Sequence, residues 1–437
     1  MLKIKAAVRM LMMSGLLIGS GGAGAGCSSA TASDAAASRV EADSQTLHQY
    51  IEASNRFGLE LYRQVAMGDD SGDSGAAGNV FLSPFSINAA MDLVSQGAAG
   101  QTQQQMWRVM RLDALGDKPD ALQLAQAYAT LDAKLTPAAD AGYQFTNANA
   151  LWGLAEFTPK PQFLDAAKTY FAGGFERLDM PPDAAREHIN QWVESKTNKL
   201  IKDLLPAGSL DEQTRLVLTN AIYFKGKWAS PFNAEQTRDA PFTLADGGQV
   251  QVKMMRQRDA RFKLLQAAGY KAIALPYAGD AMTMLAFLPD EGVTLATLEE
   301  QLFPAGLHDA IEKLGNQRQR KVRVELPRFR MTWQASLSRA MQALGMTLPF
   351  DPQQADFGGL ADVEPGALFI TGVFHKAYVE VNEQGTEAAA ATGVAVAATS
   401  MPLDPPPTFI ADRPFVFVIR QNDTGAILFV GRVMDPR

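Results

Sequence analysis

The sequence predicts an α+β fold, in which helices and strands follow one another without the regular order of a parallel β-α-β protein. Apolar residues recur at helical spacing near the N terminus, at Leu47, Tyr50, Ile51, Phe57, Leu61 and Val65. The run 216–224 is instead mainly apolar, with β-branched and aromatic members, which is typical of a strand covered on both faces. No linker rich in Pro or Gly divides residues 46–437, so we expect these residues to form one continuous globular unit.

Two further helices are predicted from caps and periodicity. Ser83 followed by Pro84 combines an N-cap with the residue best suited to the first helical position. The helix that follows would present Ile87, Met91 and Val94 on one face. A third helix, amphipathic and on the surface, is predicted around Ile189, Trp192 and Val193.

The C-terminal half is richer in strand patterns. Val322, Val324 and Leu326 alternate with Arg323 and Glu325, which predicts a strand with one face in water. Residues 415–419 and 427–430 predict two more strands, joined through a turn at 421–425.

Composition excludes several classes of protein. The chain has 437 residues, of which 47% are hydrophobic and 20% charged, enough to form a large core. Its net charge of −7 argues against nucleic-acid binding, which needs a clustered positive surface. A single Cys excludes an internal disulfide framework, and the four His are not at metal-ligand spacing. We therefore expect neither a metal nor a cofactor.

The N terminus has the features of a secretory signal peptide over residues 1–27. Lys3, Lys5 and Arg9 precede an apolar stretch that is shorter than the ~20 residues of a membrane-spanning helix. The signal resembles that of a bacterial lipoprotein, in which Cys27 would be lipidated and residues 28–45 would form a flexible tether. Cleavage at the small residues 23–25 and free secretion is the alternative. Both routes place the protein outside the cytoplasm, and the lipidated form at the outer membrane or cell surface.

The segment 383–400 is unlike the rest of the chain. It is built of Ala, Thr, Gly and Val with one charge, Glu387, after its first residue. As a strand starting at Thr386, it would present one uncharged face of small side chains that a sheet could bury. An Ala-rich helix or a flexible linker is the alternative that composition alone favours. The four prolines that follow, between 402 and 407, require an extended chain, so we expect an exposed loop over about 384–407.

Several long motifs are similar to those of the serpins, a family of serine protease inhibitors. These motifs occupy residues 79–87, 218–228, 374–389, 414–419 and 428–433, in the family's order. The resemblance implies three β-sheets, eight or nine helices and an exposed reactive-centre loop. It also implies a protein that is not an enzyme, and we expect a monomer.

The resemblance further implies a suicide-substrate inhibitor of serine endopeptidases. A target protease would form a covalent acyl complex with the loop, which would then insert into the central sheet. Papain-like cysteine proteases are possible further targets. Two alternatives remain: a non-inhibitory serpin that acts as a binding protein or chaperone, and a hydrolase that uses Ser74 in the protease-like motif 72–75.

The family's loop numbering identifies the candidate reactive site. Counted from Glu383, it places Thr399 before the scissile bond and Ser400 after it, with Ser400–Met401 as the alternative. The small-residue hinge would comprise Glu383, Gly385, Thr386, Glu387, Ala388, Ala389, Ala390 and Ala391. No Lys or Arg occurs between 383 and 407, so elastase-like or subtilisin-like targets are expected rather than trypsin-like ones.

Other residues match family positions that would control the opening of the central sheet and would not react with the protease. Ser83, Ser86, Asn220 and His375 match the polar cluster, called the shutter, that governs sheet opening. Trp228 matches the aromatic residue of the breach, where the loop first enters, and Arg328 with Glu383 resembles the ion pair beside it. His375 is equally well interpreted as a hydrogen-bonded core histidine, and none of these residues would be catalytic.

Overall fold

A computed structural model of the chain describes residues 41–68, 78–116, 120–137, 141–154, 156–172, 174–386 and 405–437. Within these ranges there are nine α-helices, α1 (Ser44–Met67), α2 (Pro84–Gly97), α3 (Gly100–Val109), α4 (Ala121–Leu135), α5 (Pro161–Tyr170), α6 (Pro182–Lys196), α7 (Leu295–Leu302), α8 (Gly306–Gly315) and α9 (Ser338–Ala343). The strands are β1 (Val80–Leu82), β2 (Tyr143–Gly153), β3 (Phe175–Arg177), β4 (Leu216–Lys227), β5 (Arg238–Thr243), β6 (Gln249–Gln257), β7 (Arg261–Ala267), β8 (Tyr270–Pro276), β9 (Met282–Pro289), β10 (Arg320–Lys321), β11 (Arg323–Pro327), β12 (Phe329–Ser336), β13 (Ile370–Asn382), β14 (Gly385–Thr386), β15 (Thr408–Ile410), β16 (Phe415–Gln421) and β17 (Ile427–Val433).

The strands form three sheets, so the α+β fold with three sheets is confirmed. The central sheet has the order β12-β13-β14-β4-β2-β3. A second sheet has seven strands in the order β1-β17-β16-β9-β8-β7-β10, and a third has the order β15-β11-β6-β5. The β16–β17 pair is the hairpin that the sequence predicts at its C-terminal end.

Helices α1 and α2 confirm the predicted N-terminal helices. Asp43 caps α1 by accepting hydrogen bonds from the backbone N–H groups of Gln45 and Thr46, so the helix begins inside the predicted tether. Ser83 caps α2, with its hydroxyl accepting the N–H of Ser86 at 3.1 Å. The two helices approach so closely that a Cβ on Gly58 would overlap the ring of Pro84.

The central sheet is buried on both faces along β4, as the sequence predicts. Every residue from 216 to 224 is buried. Helix α6 covers one face of this sheet, with Ile189 and Val193 fully buried and Trp192 packed against the same cluster. The predicted amphipathic surface helix is therefore confirmed.

The prediction of a wet face along β11 is wrong for Glu325, which is only 5% exposed. β11 is paired along both edges, by β6 and β15, and its residues 324–327 are all buried, so both of its faces are largely covered. The Glu325 carboxylate is neutralised by Arg323 and by Arg256 on β6, the latter at 3.3 Å. The sequence shows the charges but not the cross-strand partner that permits burial.

Among the described residues, no helix combines the length and apolarity required to cross a membrane. The same residues contain no cluster of three or more His, Cys, Asp or Glu side chains arranged to hold a metal ion.

Candidate functional site

A seam between two parallel strands divides the central sheet. β4 and β13 pair directly over Leu216–Tyr223 and Ile370–Tyr378. At one end of the seam the two strands separate, and β14 lies between them, antiparallel to both. A continuation of β14 beyond Thr386 would therefore have to part β4 from β13, replacing one parallel pairing with two antiparallel ones.

The predicted exposed loop over about 384–407 includes Gly385 and Thr386, but both are buried in β14, and Thr386 lies fully buried at the entrance to this seam. Its hydroxyl lies 2.8 Å from that of Tyr277. The Tyr277 ring stacks on Trp228, with centroids 4.6 Å apart and planes 12° from parallel. Burial raises the pKa of Tyr277, so its hydroxyl remains protonated and can exchange a hydrogen bond with Thr386. Trp228 in turn donates from Nε1 to the carbonyl of Asn382 at 2.9 Å.

Gly385 occupies a position in β14 that only glycine can fill. Its φ is +151°, a conformation that L-residues rarely adopt. A Cβ at this position would also overlap the carbonyl group of Gly226 on β4. The chain can therefore enter between the strands here only because the side chain is absent.

An ion pair between the buried Glu383 and the exposed Arg328 holds the turn that leads into β14. Arg328 donates from Nε to both carboxylate oxygens of Glu383, each at 2.7 Å, and the Thr237 hydroxyl donates to the same group. Glu383 is 5% exposed, and burial alone would raise its pKa. The hydrogen bonds from Arg328 and Thr237 outweigh burial and hold the pKa of Glu383 below its usual value.

A polar cluster lies under the seam, where α2 meets the sheet. The Ser86 hydroxyl donates to the Asn149 side-chain oxygen at 3.0 Å, and Asn147 lies within hydrogen-bonding reach of the same hydroxyl. Asn220 donates to both Ser86 and Asn149 and also contacts Nδ1 of His375. Since Asn220 and His375 are directly opposite each other on β4 and β13, the cluster spans the seam.

His375 is neutral in this environment. Complete burial lowers its pKa to about 3, because removal from water penalises the charged form of the ring. Its Nε2 has no hydrogen-bond partner among the described residues. The contact with Asn220 is therefore a hydrogen bond between neutral groups, which can be broken when the strands separate without exposing a bare charge.

The family model for serpins, described as serine protease inhibitors, matches residues 52–436. This chain belongs to the serpin family. Leukocyte elastase inhibitor from Sus scrofa is 37% identical over 398 residues, covering 89% of this serpin and 100% of the relative. Antithrombin-III from Mus musculus is 34% identical over 412 residues, covering 93% of this serpin and 86% of the relative.

The same fold occurs in solved serpin structures. AtSerpin1 from Arabidopsis, in its native stressed conformation, superimposes with a TM-score of 0.76 at 27% identity. The match covers 89% of this serpin and 98% of the plant protein.

The described part of this serpin brings two groups of predicted residues together. Ser83, Ser86, Asn220 and His375 converge beneath the seam. Trp228 and the Arg328–Glu383 pair surround the entrance used by Gly385 and Thr386. The remaining candidates lie outside the described residues: Cys27, Ser74, Glu387, Ala388, Ala389, Ala390, Ala391, Thr399 and Ser400.

Sequence reasoning missed three residues of this site. Asn147 and Asn149 complete the shutter from β2, and their signal was available as two amides at alternate positions of one strand. Tyr277 supplies the partner of Thr386, although it is 109 positions away in sequence. Nothing local to Tyr277 distinguishes it from an ordinary core aromatic residue.

Proposed function

We propose that this serpin is a suicide-substrate inhibitor of serine endopeptidases. The observation that carries the proposal is the position of β14 between β4 and β13, at the end of the seam that an inserted strand would have to occupy. Because β14 already pairs with both neighbours, insertion would extend an existing strand and would need no new nucleation. Antithrombin-III and leukocyte elastase inhibitor, both relatives by sequence, support protease inhibition in general.

The reaction begins as ordinary proteolysis. The protease serine attacks the carbonyl carbon of Thr399, the Thr399–Ser400 bond breaks, and the Ser400 amine leaves with a proton from the protease's general acid. The carbonyl of Thr399 is then esterified to the protease. Ser400–Met401 is the alternative scissile bond.

Insertion of the freed segment then competes with hydrolysis of the ester. Residues 386–399 could extend over about 46 Å as a strand, carrying the attached protease along the sheet. Residues 387–399 would be new strand residues, and at ~1 kcal/mol net for each hydrogen bond they supply on the order of 10 kcal/mol. Catalysis tolerates little misplacement of its groups, so distortion of the protease active site stops deacylation. The uncleaved fold is in this account kinetically trapped.

The side chains of the segment suit this path. Thr386 points to the buried side of the sheet, where it meets Tyr277. Side chains alternate along a strand, so Ala388, Ala390 and the later even-numbered positions to 398 would follow it inward. All of these residues are small and uncharged, whereas Glu387 would fall on the opposite side.

We propose elastase-like or subtilisin-like proteases as targets, with papain-like cysteine proteases as further candidates. Thr399 and Ser400 are small, and no Lys or Arg lies between 383 and 407 to attract a trypsin-like enzyme. A target would meet the protein outside the cytoplasm, because the signal features at 1–27 favour export. Lipidation of Cys27, as in a bacterial lipoprotein, would tether a monomeric inhibitor to the outer membrane or cell surface.

The test is incubation with a panel of elastase, subtilisin, papain and trypsin. An inhibitor is expected to form a complex with elastase or subtilisin that survives boiling in detergent, and mass spectrometry should place the cut at 399–400 or 400–401. The cleaved protein should melt at a much higher temperature than the intact one. Clean cleavage with no gain in thermal stability would contradict the proposal and favour a non-inhibitory serpin.

The proposed lipidation of Cys27 and the membrane location are tested separately. Cells expressing the full chain are labelled with a fatty-acid analogue and fractionated, with Cys27→Ala as the control. Labelled protein in the membrane fraction, lost in the variant, is expected. Unlabelled protein in the medium would contradict the lipid anchor on Cys27 and would have no bearing on the proposed inhibitory function.

A further inference from the structure

A carboxyl group is buried between α1 and α2, away from the central sheet. Asp92 on α2 is fully buried, and one of its oxygens accepts a hydrogen bond from the hydroxyl of Tyr50 on α1. Asn88, one turn earlier on α2, donates to the Tyr50 oxygen at 2.9 Å and to the same Asp92 oxygen at 3.2 Å. The three side chains form a buried polar cluster, which we call the Asp92 cluster.

The Asp92 cluster is incompletely satisfied. Oδ1 of Asp92 and Oδ1 of Asn88 both lack a hydrogen-bond donor among the described residues. No Lys, Arg or His forms an ion pair with Asp92 in that part of the chain. The titratable groups that face the cluster are Tyr50 itself and, acting on Tyr50 from α4, Tyr128. A carboxylate in this position would be an unpaired buried charge, whereas a carboxylic acid would not.

The protonation state follows from burial. Burial raises the pKa of Asp92 to about 8, although the hydrogen bond from Tyr50 acts in the opposite direction. Tyr50 is buried as well, and its pKa lies far above neutrality, so it remains a donor. Asp92 is therefore a neutral acid at neutral pH and ionises in the mildly alkaline range.

The position of the Asp92 cluster connects it to the sheet. Helix α2 carries Ser83 and Ser86 at its N terminus, where they meet the polar residues beneath the seam. Asp92 lies two turns further along the same helix and faces α1. Because α2 packs against β2 and β4 as well as against α1, the Asp92 cluster is separated from the central sheet by this one helix.

We propose that Asp92 is a proton-dependent latch between α1 and α2: it closes this interface as a neutral acid, so the native fold must keep a proton that an opened chain releases, and the stability of the fold falls as the pH rises. The direction follows from linkage. An opened or unfolded chain has a carboxyl with the ordinary pKa of 3.8, whereas the native one has a pKa of about 8. The stabilisation is therefore complete below pH 4, declines as the pH rises towards 8, and is constant above it. This inference concerns the resting fold and does not depend on the proposed inhibitory function.

The first test compares the intact chain with Asp92→Asn, which keeps the size and polarity but cannot ionise. Melting temperatures are measured at a fixed scan rate from pH 4.5 to 9.5. The melting temperature of Asp92→Asn minus that of the wild type is expected to increase with pH and to level off above pH 8. Asp165→Asn, a change at an exposed helical aspartate, serves as the matched control and should show no such growth. A difference between Asp92→Asn and wild type that does not vary with pH would overturn the proposal.

A second variant separates titration from packing. Tyr50→Phe removes the hydroxyl that stabilises the ionised carboxylate, so the pH at which the effect levels off should shift upward. A merely structural role for Tyr50 would lower the melting temperature equally at every pH. If the shift is absent, the hydroxyl does not hold the carboxyl and the latch as described is wrong.

A third measurement uses only the wild-type protein. Infrared difference spectra of the wild-type protein should contain the carbonyl band of a protonated carboxylic acid at pH 7, which disappears towards pH 9. The absence of any such band at pH 7 would show that Asp92 is already ionised and would refute the proposal.

Discussion

The hydroxyl of Thr386 lies 2.8 Å from that of Tyr277, and both side chains are buried at the entrance to the seam of the central sheet. Tyr277 is itself held by stacking on Trp228. The first residues of the predicted insertion segment are therefore seated between β4 and β13 before any cleavage. The contact also sets which face of the segment would be buried on insertion, because side chains alternate along a strand.

Replacing Thr386 with Arg should convert the inhibitor into a substrate. An Arg at this already buried position would be forced out of the entrance in the intact protein, and insertion would then have to bury the unpaired charge beside Tyr277, at a cost of about 3–5 kcal/mol, enough to slow insertion by more than about a hundredfold. Gel analysis after incubation with elastase or subtilisin should show cleaved serpin and free protease. Thr386→Ser, which retains the hydroxyl, is the control and should still form the complex. Undiminished complex formation by the Arg variant would refute the assignment of the hinge.

Replacing Tyr277 with Phe should loosen the seated hinge. The ring still stacks on Trp228, but the buried Thr386 hydroxyl loses its partner, which costs about 1–3 kcal/mol. Hydrogen exchange followed by mass spectrometry should report faster exchange of the peptide containing Gly385 and Thr386. Peptides of β16, remote in the second sheet, provide the internal reference. Equal exchange in both proteins would mean that the hydroxyl contact does not hold β14.

Glu383 should make stability depend on pH in the acid range. Its native pKa is held below the ordinary 4.5, so its stabilisation is present above pH 4.5 and is lost as the pH falls through the lowered value. Glu383→Gln should lower the free energy of unfolding by about 1–3 kcal/mol at pH 7 and less at pH 3. Denaturant unfolding at both pH values checks this expectation. An equal loss at the two pH values would show that the charge of Glu383 is irrelevant.

His375 should produce a second pH dependence at higher pH. The native ring has a pKa of about 3, whereas an unfolded His has one of 6.5. Stability is therefore complete above pH 6.5 and falls as the pH decreases towards 3, by up to about 1.4 kcal/mol per pH unit. His375→Gln cannot titrate, so its melting temperature should fall less between pH 6.5 and 4.5. Parallel curves for the two proteins would contradict a buried neutral histidine.

Local signals explain why many elements could be predicted. The Ser83–Pro84 pair starts α2 because a cap and a fixed φ act within one turn. The mainly apolar run at 216–224 can be a buried strand because its polar side chains find partners inside the protein: Thr219 hydrogen-bonds with Trp152, and Asn220 with Ser86. The shutter itself was predicted from family motifs rather than from spacing.

Long-range partners explain what could not be predicted. The sequence alone predicts that Glu325 faces solvent, whereas in the structure Arg256 on β6 forms an ion pair with it. Asp92 looks like a break in the apolar face of α2 until Tyr50 supplies a donor from another helix. In both cases the burial of a charge-bearing group depends on a residue that is distant in sequence.

The sequence by itself determined the fold class, the family and the presence of a small-residue segment at 383–400, since these depend on local patterns and long motifs. Only the tertiary structure decided that Gly385 and Thr386 already lie between β4 and β13 and that Tyr277 receives the threonine. The reason is physical: strand pairing and burial are properties of neighbours in space, and the seam joins strands about 150 residues apart along the chain.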